Sequence, residues 1–232
     1  MKSRLISACL VLGLAAAAAG SAQSVSSAGT ERIEKAIAAF QDILSLEKPE
    51  ERLPGKLLEK AQGIAIIPGV IKAAWGVGGQ WGRGIVAVRD KDGRWSDPLF
   101  ISLVGGSVGF QIGVQKSDII LVFKNRKNIE QVASGKLTLG ADASVAAGPV
   151  GRQAEAATDW EMESEIYSYA KSKGLFAGVS IKGAAMQFDE DANAAFYGRD
   201  GVRPDDILSG KTNNKSEIVT RLKEVLEQAV RR

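Results

Sequence analysis

The sequence predicts an α+β fold: a glycine-rich antiparallel sheet or barrel-like core flanked by N- and C-terminal helices. Three observations predict it. Helical periodicity is confined to the two ends of the chain. The middle reads as short apolar runs separated by turn signals. The 26 glycines against 6 prolines in 232 residues fall mostly between Gly63 and Gly183, a pattern of tight turns, bulges and close backbone approach within a β structure.

The elements follow in order. Thr30 is placed to cap a helix, and Ile33, Ile37, Phe40 and Leu44 recur at helical spacing, with Ala36 and Ile43 widening the stripe. Glu31, Arg32, Glu34 and Lys35 take the other face, and the helix is expected to end before Pro49. A short helix is expected from Gly55 to Gln62. The period then changes. Ile64 to Ile67 is a β-type run that Pro68-Gly69 should stop. Val70 to Gln80 and Ile85 to Arg89 flank a glycine-rich turn, and Asp92-Gly93 is a hairpin signal before Leu99 to Val104. Val108 to Val114 and Ile119 to Phe123 read as strands around a polar turn at Gln115 to Asp118. A brief helix is expected from Asn125 to Ala133, then alternation from Leu137 to Val145. After a helical turn near Asp159, a hairpin is expected through Lys171-Ser172-Lys173-Gly174, with Leu175 to Phe188 returning as strand. The last helix has Asn214 as its cap and Ile218, Leu222, Val225, Leu226 and Ala229 as its apolar face, with Glu217–Arg221 and Glu227–Arg231 as four-residue ion pairs.

Composition sets outer limits. With 45% hydrophobic and 25% charged residues the chain has an ordinary globular balance. Lys2 and Arg4 followed by the apolar run Leu5 to Ala19 and the small residues Gly20-Ser21-Ala22 read as an export signal, with cleavage expected after Ala22. Residues 1–22 are then a leader, 23–29 a flexible segment and 30–232 a single domain, expected to be periplasmic or secreted. The lipobox-like Ile6-Ser7-Ala8-Cys9 lacks the apolar run that should precede its cysteine. Two cations leave with the leader, so the formal charge of +3 falls to +1. Nucleic-acid binding is not indicated, because it normally demands a strong basic excess. The only cysteine, Cys9, leaves too, which removes disulfides, a thiol nucleophile and thiolate metal sites.

The chain contains no histidine, so the commonest general base and metal ligand are missing. Gly105-Gly106-Ser107-Val108-Gly109 spells a nucleophile elbow, but Ser107 has no histidine partner and precedes a strand. Gly76 to Gly84 places Trp81 where a dinucleotide fingerprint needs glycine. Ser209-Gly210-Lys211-Thr212 has the tail of a P-loop but carries Asp205 at the position of its first glycine. Asp189-Glu190-Asp191 and Asp205-Asp206 match neither a calcium loop nor a glycosidase pair, and read as solvated loop charge. A hydrolase relying on carboxylates alone would have to use residues such as Asp142 or Asp189. The expectation is therefore no enzyme, no metal and no cofactor. Basic residues, among them Lys72, Arg83, Arg89, Arg94, Lys116, Arg126, Arg152, Lys171 and Lys173, fall mostly at strand ends and turns, where they can gather against anionic headgroups. Trp75, Trp81, Trp95 and Trp160 suit a membrane interface where exposed.

Longer blocks carry a resemblance. Gly63-Ile64-Ala65-Ile66-Ile67-Pro68-Gly69-Val70-Ile71-Lys72-Ala73, the glycine run from Gly76 to Gly84, Leu139 to Arg152, Ser172 to Ser180, Phe196-Tyr197-Gly198 and Asp206 to Gly210 occur in this order. Together they resemble the SYLF domain family over about residues 30 to 230. The resemblance implies a lipid-binding module; relatives bind phosphoinositides, partly through an amphipathic N-terminal helix, and some fungal ones bind actin. Here it implies an anionic phospholipid or membrane surface as partner, with Lys72, Arg152 and Lys173, basic and inside matching blocks, as the lipid-binding candidates. The alternative is an envelope structural or protein-interaction domain with an envelope protein partner and no lipid ligand.

Overall fold

The computed structural model describes residues 27–46, 53–150, 163–198 and 202–231, with only the backbone at 74–77 and 107–112. The expected leader at 1–22, Asp159, Trp160 and Arg152 lie outside the described residues. The first helix, α1, covers 27–44, and α2 covers Gly55–Glu59. Two long strands follow, β1 (Gly63–Val88) and β2 (Leu99–Phe123), then α3 (Arg126–Ala133), β3 (Lys136–Thr138) and β4 (Val145–Ala147). Next come β5 (Ile166–Ser172), β6 (Leu175–Gly178) and β7 (Ala184–Phe188). Three helices close the chain: α4 (Glu190–Tyr197), α5 (Pro204–Leu208) and α6 (Glu217–Val230). The described strands form one mixed sheet of seven, in which β4 and β5 are parallel and every other pair is antiparallel. The α+β reading holds, with a sheet curled into a half-barrel.

Where separate strands were expected, β1 and β2 are each continuous and pair along their whole length, from Gly63↔Phe123 to Val86↔Leu99. Pro68-Gly69 does not stop the strand. It forms a bulge between Ile67 and Val70, with Gly69 at φ 61° and its N–H donated to Asp118 Oδ1 at 2.7 Å. Gln115 to Asp118 is likewise strand, because its backbone is paired with β1 on one side and, at Asp118, with Lys171 of β5 on the other.

A straight 26-residue strand would be about 85 Å long, far beyond the width of a domain. The hairpin instead doubles back on itself. Arg89 N–H donates to Gln62 O at 2.9 Å, so the end of β1 returns to its beginning. A Cβ on Gly84 would overlap Ile66 O and lie 2.8 Å from Ile67 Cα, and one on Gly82 would lie 2.7 Å from Val70 Cγ2. These glycines let the two halves of β1 approach backbone to backbone.

Alternation along the doubled hairpin builds two cores. On one face Ile64, Ile66, Ile85, Ala87, Phe100, Ile120 and Val122 pack against α1, α2 and α6. On the other, Ala65, Ile67, Val86, Val88, Ile101, Leu121 and Phe123 pack against α3, β3 and α5. The apolar stripe of α1 is spent here, with Ile33, Ala36, Ile37, Phe40 and Ile43 each at most 1% exposed.

Smaller differences have local causes. The first helix begins at 27, so Thr30 lies inside it. Ser216 takes the N-cap position of α6 without a side-chain cap bond, while Asn214 donates its N–H to Asp97 and accepts from Ser216 N–H. Val219, rather than Ile218, is fully buried. The acidic cluster at 189–191 is not loop: Asp189 caps α4 by accepting from Ala192 N–H, and Gly198 closes it at φ 68°. Asp205 and Asp206 occupy the first turn of α5.

Candidate functional site

Doubling the hairpin gives the sheet two distinct ends. At one end lie Gln62, Arg89, the β1–β2 loop and the start of α3. At the other lie the bend of the hairpin and the β5–β6 turn. The basic residues of the sequence divide between them.

At the loop end the arginines are engaged, while Lys91 and Lys127 are exposed with no carboxylate partner among the described residues. Arg94 bonds Asp90 at 3.0 Å and Asp92 at 2.8 Å, and Arg126 bonds Glu130 at 3.1 Å. Desolvation pushes the Asp90 carboxyl up, but the backbone N–H, guanidinium bond and charge of Arg94, with the Asp92 N–H, together hold it below its usual range. Arg89 donates to Glu59 O and lies 5.8 Å from the Trp95 ring centroid. A cavity of about 560 Å³ opens here between the loop, Arg126, Gly210 and Lys223. Its floor is Asp97, 1% exposed at the side chain, which accepts from Thr212 Oγ1 at 2.5 Å, Asn214 N–H at 2.9 Å and Lys223 Nζ at 2.7 Å. The P-loop-like Thr212 is thus a structural donor to a buried carboxylate. Asp97, Asp90 and Glu227 balance Lys223, Arg94 and Arg126 around the cavity, which leaves no net charge to attract an ion.

The bend end is different. Register places Lys72 opposite Gln115 and Ile71 opposite Lys116. The β5–β6 turn is tied alongside: Ser172 Oγ donates to Lys116 O at 2.9 Å, and Gln115 Nε2 donates to Ser172 Oγ at 3.3 Å. Lys72, Lys116 and Lys173 are all exposed. Among the described residues none of them meets a carboxylate within ion-pair distance, whereas Lys171 is bound to Asp42 of α1 at 2.5 Å. Arg83 is also exposed, stacked 5.3 Å from the Trp81 ring centroid. Two strands and the β5–β6 turn therefore bring three ammonium groups with no carboxylate partner among the described residues, and a guanidinium, to one end of the sheet.

Lys173 has a further peculiarity. It and Gly174 form the two-residue turn between Ser172 and Leu175, at φ 49° and φ 80°. A hairpin turn with both central residues at positive φ favours Asn-Gly, and lysine there is strained.

The same end exposes apolar side chains. Trp81 is 47% exposed, Val104 45%, Ile71 43%, Val114 76% and Leu175 73%. Trp81 pairs with Val104, and both fall on the face where Ile85 and Phe100 lie under the helices. Ile71 and Val114 are on that face too. The helical layer ends before the sheet does.

Of the lipid-binding candidates, the structure brings Lys72 and Lys173 to one end of the sheet. Arg152 is outside the described residues. Lys116 joins them although its sequence context does not single it out, since its neighbours are fixed by the β1–β2 register. Among the tryptophans, Trp95 is buried and Trp81 exposed. The carboxylates a hydrolase would need are engaged in the fold. Asp142 accepts from Thr138 N–H at 2.6 Å, and Asp189 is 2.8 Å from Arg32. Ser107 lies within β2, in a strand rather than at a strand–helix elbow. Among the described residues there is no group of three or more metal-ligating side chains and no helix long and apolar enough to cross a membrane.

A doubled β-hairpin held between two helical layers, presenting an uncovered basic and apolar end, defines an α+β module. Comparison with known proteins gives its family. Residues 104–229 match the family described as Ysc84, Las17-binding protein actin regulator. The chain is 38% identical over 183 residues to the human SH3 domain-containing YSC84-like protein 1, covering 78% of this chain and 53% of the relative. It is 36% identical over 189 residues to the Xenopus laevis protein of that name, covering 81% and 56%. It is 37% identical over 185 residues to protein YSC84 of Saccharomyces cerevisiae, covering 78% and 39%. The chain belongs to this Ysc84, or SYLF, family, as its motif blocks indicated, and it spans about half or less of the length of these relatives. The family description names a binding protein and an actin regulator rather than a reaction.

Proposed function

We propose that the chain is a non-enzymatic module of the cell envelope that binds anionic phospholipid membranes through the bend end of its sheet. The observation that carries the reading is the convergence there of Lys72, Lys116 and Lys173 without carboxylate partners among the described residues, while the arginines of the loop end are paired with neighbouring carboxylates or backbone carbonyls. Each lysine near an anionic surface contributes about 1 kcal/mol, and the attraction fades beyond a Debye length. The strained Lys173 turn supports the same reading, because asparagine would relax the backbone but remove the charge.

Co-sedimentation of the protein with phosphatidylserine-containing and purely zwitterionic vesicles tests it. Binding to the anionic vesicles alone, weakened by salt, is expected. Lys72→Ala combined with Lys173→Asn removes two charges, and should weaken binding about 30-fold, from about 2 kcal/mol. The asparagine keeps the turn, so a loss of fold does not confuse the result. Absence of binding to both vesicle types would overturn the proposal.

A second reading rests on the family description, which names a protein partner. In that reading the same end docks a protein of the envelope. Recovery of one partner in stoichiometric amount, with no affinity for vesicles, favours it.

A further inference from the structure

The exposed apolar residues at the bend end are placed by the geometry of the layers. On the helix-covered face, Ile85 is 1% exposed and Trp81, four residues outward on the same strand face, is 47% exposed. On β2, Ile120 is fully buried and Val114, six residues outward on that face, is 76% exposed. At about 3.3 Å per residue the sheet overhangs its helical cover by roughly 13–20 Å. Gly82 sits against Val70, so Trp81 and Ile71 are the next residues outward on the two halves of β1. The strip is Trp81, Val104, Ile71 and Val114; Leu175 of the β5–β6 turn, paired with Ser172, is exposed at the same end on the opposite face, beside Lys72 and Gln115. The rim of the strip is positive: Arg83 and Lys116 on its own face, Lys72 on the opposite face and Lys173 at the turn.

An apolar strip with a cationic rim complements a surface that is negative outside and apolar beneath. Interfacial binding buries apolar groups about 5–10 Å into the headgroup and acyl boundary. The overhang exceeds that depth, so the strip can enter while the helical layer remains in water. We infer that Trp81, Val104, Ile71, Val114 and Leu175 insert beneath the headgroups of an anionic bilayer, with Lys72, Lys116, Lys173 and Arg83 held at the level of the phosphates. This rests on the membrane reading above and adds a mode of contact, insertion by a sheet end rather than surface attraction alone. The order of events follows: charge brings the domain to the surface, and apolar burial retains it.

The experiment places a polarity-sensitive fluorophore on Val114→Cys in the processed chain, and a second on Asp92→Cys at the loop end as a control. On phosphatidylserine-containing vesicles the label at 114 should shift to shorter wavelength and be quenched by lipids brominated in their acyl chains; the label at 92 should do neither. Once bound, the protein should resist elution by high salt. Val114→Asp with Leu175→Asp should lower binding at high salt at least ten-fold while leaving the melting temperature unchanged. Co-sedimentation with an unresponsive label at 114 overturns insertion and leaves the electrostatic reading standing. Failure to co-sediment overturns both. A shift at 114 that depends on protein concentration without vesicles assigns the strip to a second copy of the chain, and overturns the inference as well.

Discussion

Gly84→Ala isolates the contact on which the doubled hairpin depends. The added Cβ would lie 2.8 Å from Ile67 Cα and overlap Ile66 O, both backbone atoms that cannot rotate away. Ordinary carbon contacts are about 3.5–4.0 Å, so the halves of β1 must separate by roughly 1 Å. Ile64, Ile66 and Ile67 are at most 1% exposed and belong to both cores, so the separation disturbs packing on the two faces at once. Overpacking of this kind costs about 1–3 kcal/mol, and the backbone origin of the clash places Gly84 at the upper end. For a domain of this size about 3 kcal/mol lowers the melting temperature by roughly 6–12 °C. Gly106→Ala is the matched control. Nothing lies within 4 Å of its Cβ position and its φ is not in the left-handed region. That substitution should be neutral or stabilising by up to about 1 kcal/mol, through lost freedom of the unfolded chain. Thermal and urea unfolding of both variants provide the measurement. A Gly84→Ala protein as stable as its parent would refute the claim that the two halves of β1 meet at this glycine.

Asp97→Ala removes a buried acceptor of three hydrogen bonds, from Thr212, Asn214 and Lys223. Charged hydrogen bonds contribute about 1.5–3 kcal/mol each, but Lys223 is half-open to water and can be resolvated, so a total near 3 kcal/mol is expected in urea unfolding. Alkaline pH should destabilise the fold. Burial raises the Tyr169 and Tyr197 phenols well above their usual value of 10.0, and the Asp97 charge adds to the rise at Tyr197. A raised folded pKa contributes stability that is complete below the unfolded value and is lost above it, so stability should fall as pH climbs past about 10. Tyr197→Phe should flatten that fall, although it also loses the 2.7 Å bond to Pro98 O.

The helices at both ends were legible because each carries one unbroken stripe of apolar residues, and that stripe is what the core buries. The short helix Arg126–Ala133 and the Lys173-Gly174 turn were legible for the same local reasons. The long hairpin was not. Glycine and proline lower strand propensity at Pro68-Gly69 and through Gly76 to Gly84, so the chain reads as broken there. Pairing with β2, set by residues 17 to 52 positions away (Gly84↔Ile101 to Ile67↔Ile119), keeps it continuous, and the glycines are used for bulging and close approach instead. Asp189 showed its charge in the sequence but not its role, since a cap is recognised only with the helix it starts, and the short α4 lacks a strong apolar period. The candidate site was half legible. Lys72 and Lys173 stand in matching blocks, but their convergence with Lys116, and the exposure of Val114 and Leu175, depend on register and on where the helical layer stops.

The resemblance implied that an amphipathic N-terminal helix takes part in lipid binding, and the packing argues against that role for α1. Its apolar face is already buried: Ile33, Ile37, Phe40 and Ile43 are at most 1% exposed. Burying such a side chain contributes about 1.5–3 kcal/mol, so presenting four of them to a membrane would first cost roughly 6–12 kcal/mol. That is comparable to the whole stability of a typical domain, about 5–15 kcal/mol. The Arg32–Asp189 and Lys171–Asp42 contacts would be lost as well. The sheet end pays no such cost, because its apolar residues are exposed before any membrane arrives. Hydrogen exchange separates the two routes. If the sheet end makes the contact, amides of 33–43 remain as protected on anionic vesicles as in solution. Loss of their protection on vesicle binding would mean that α1 leaves the core, and the argument from its burial would fail.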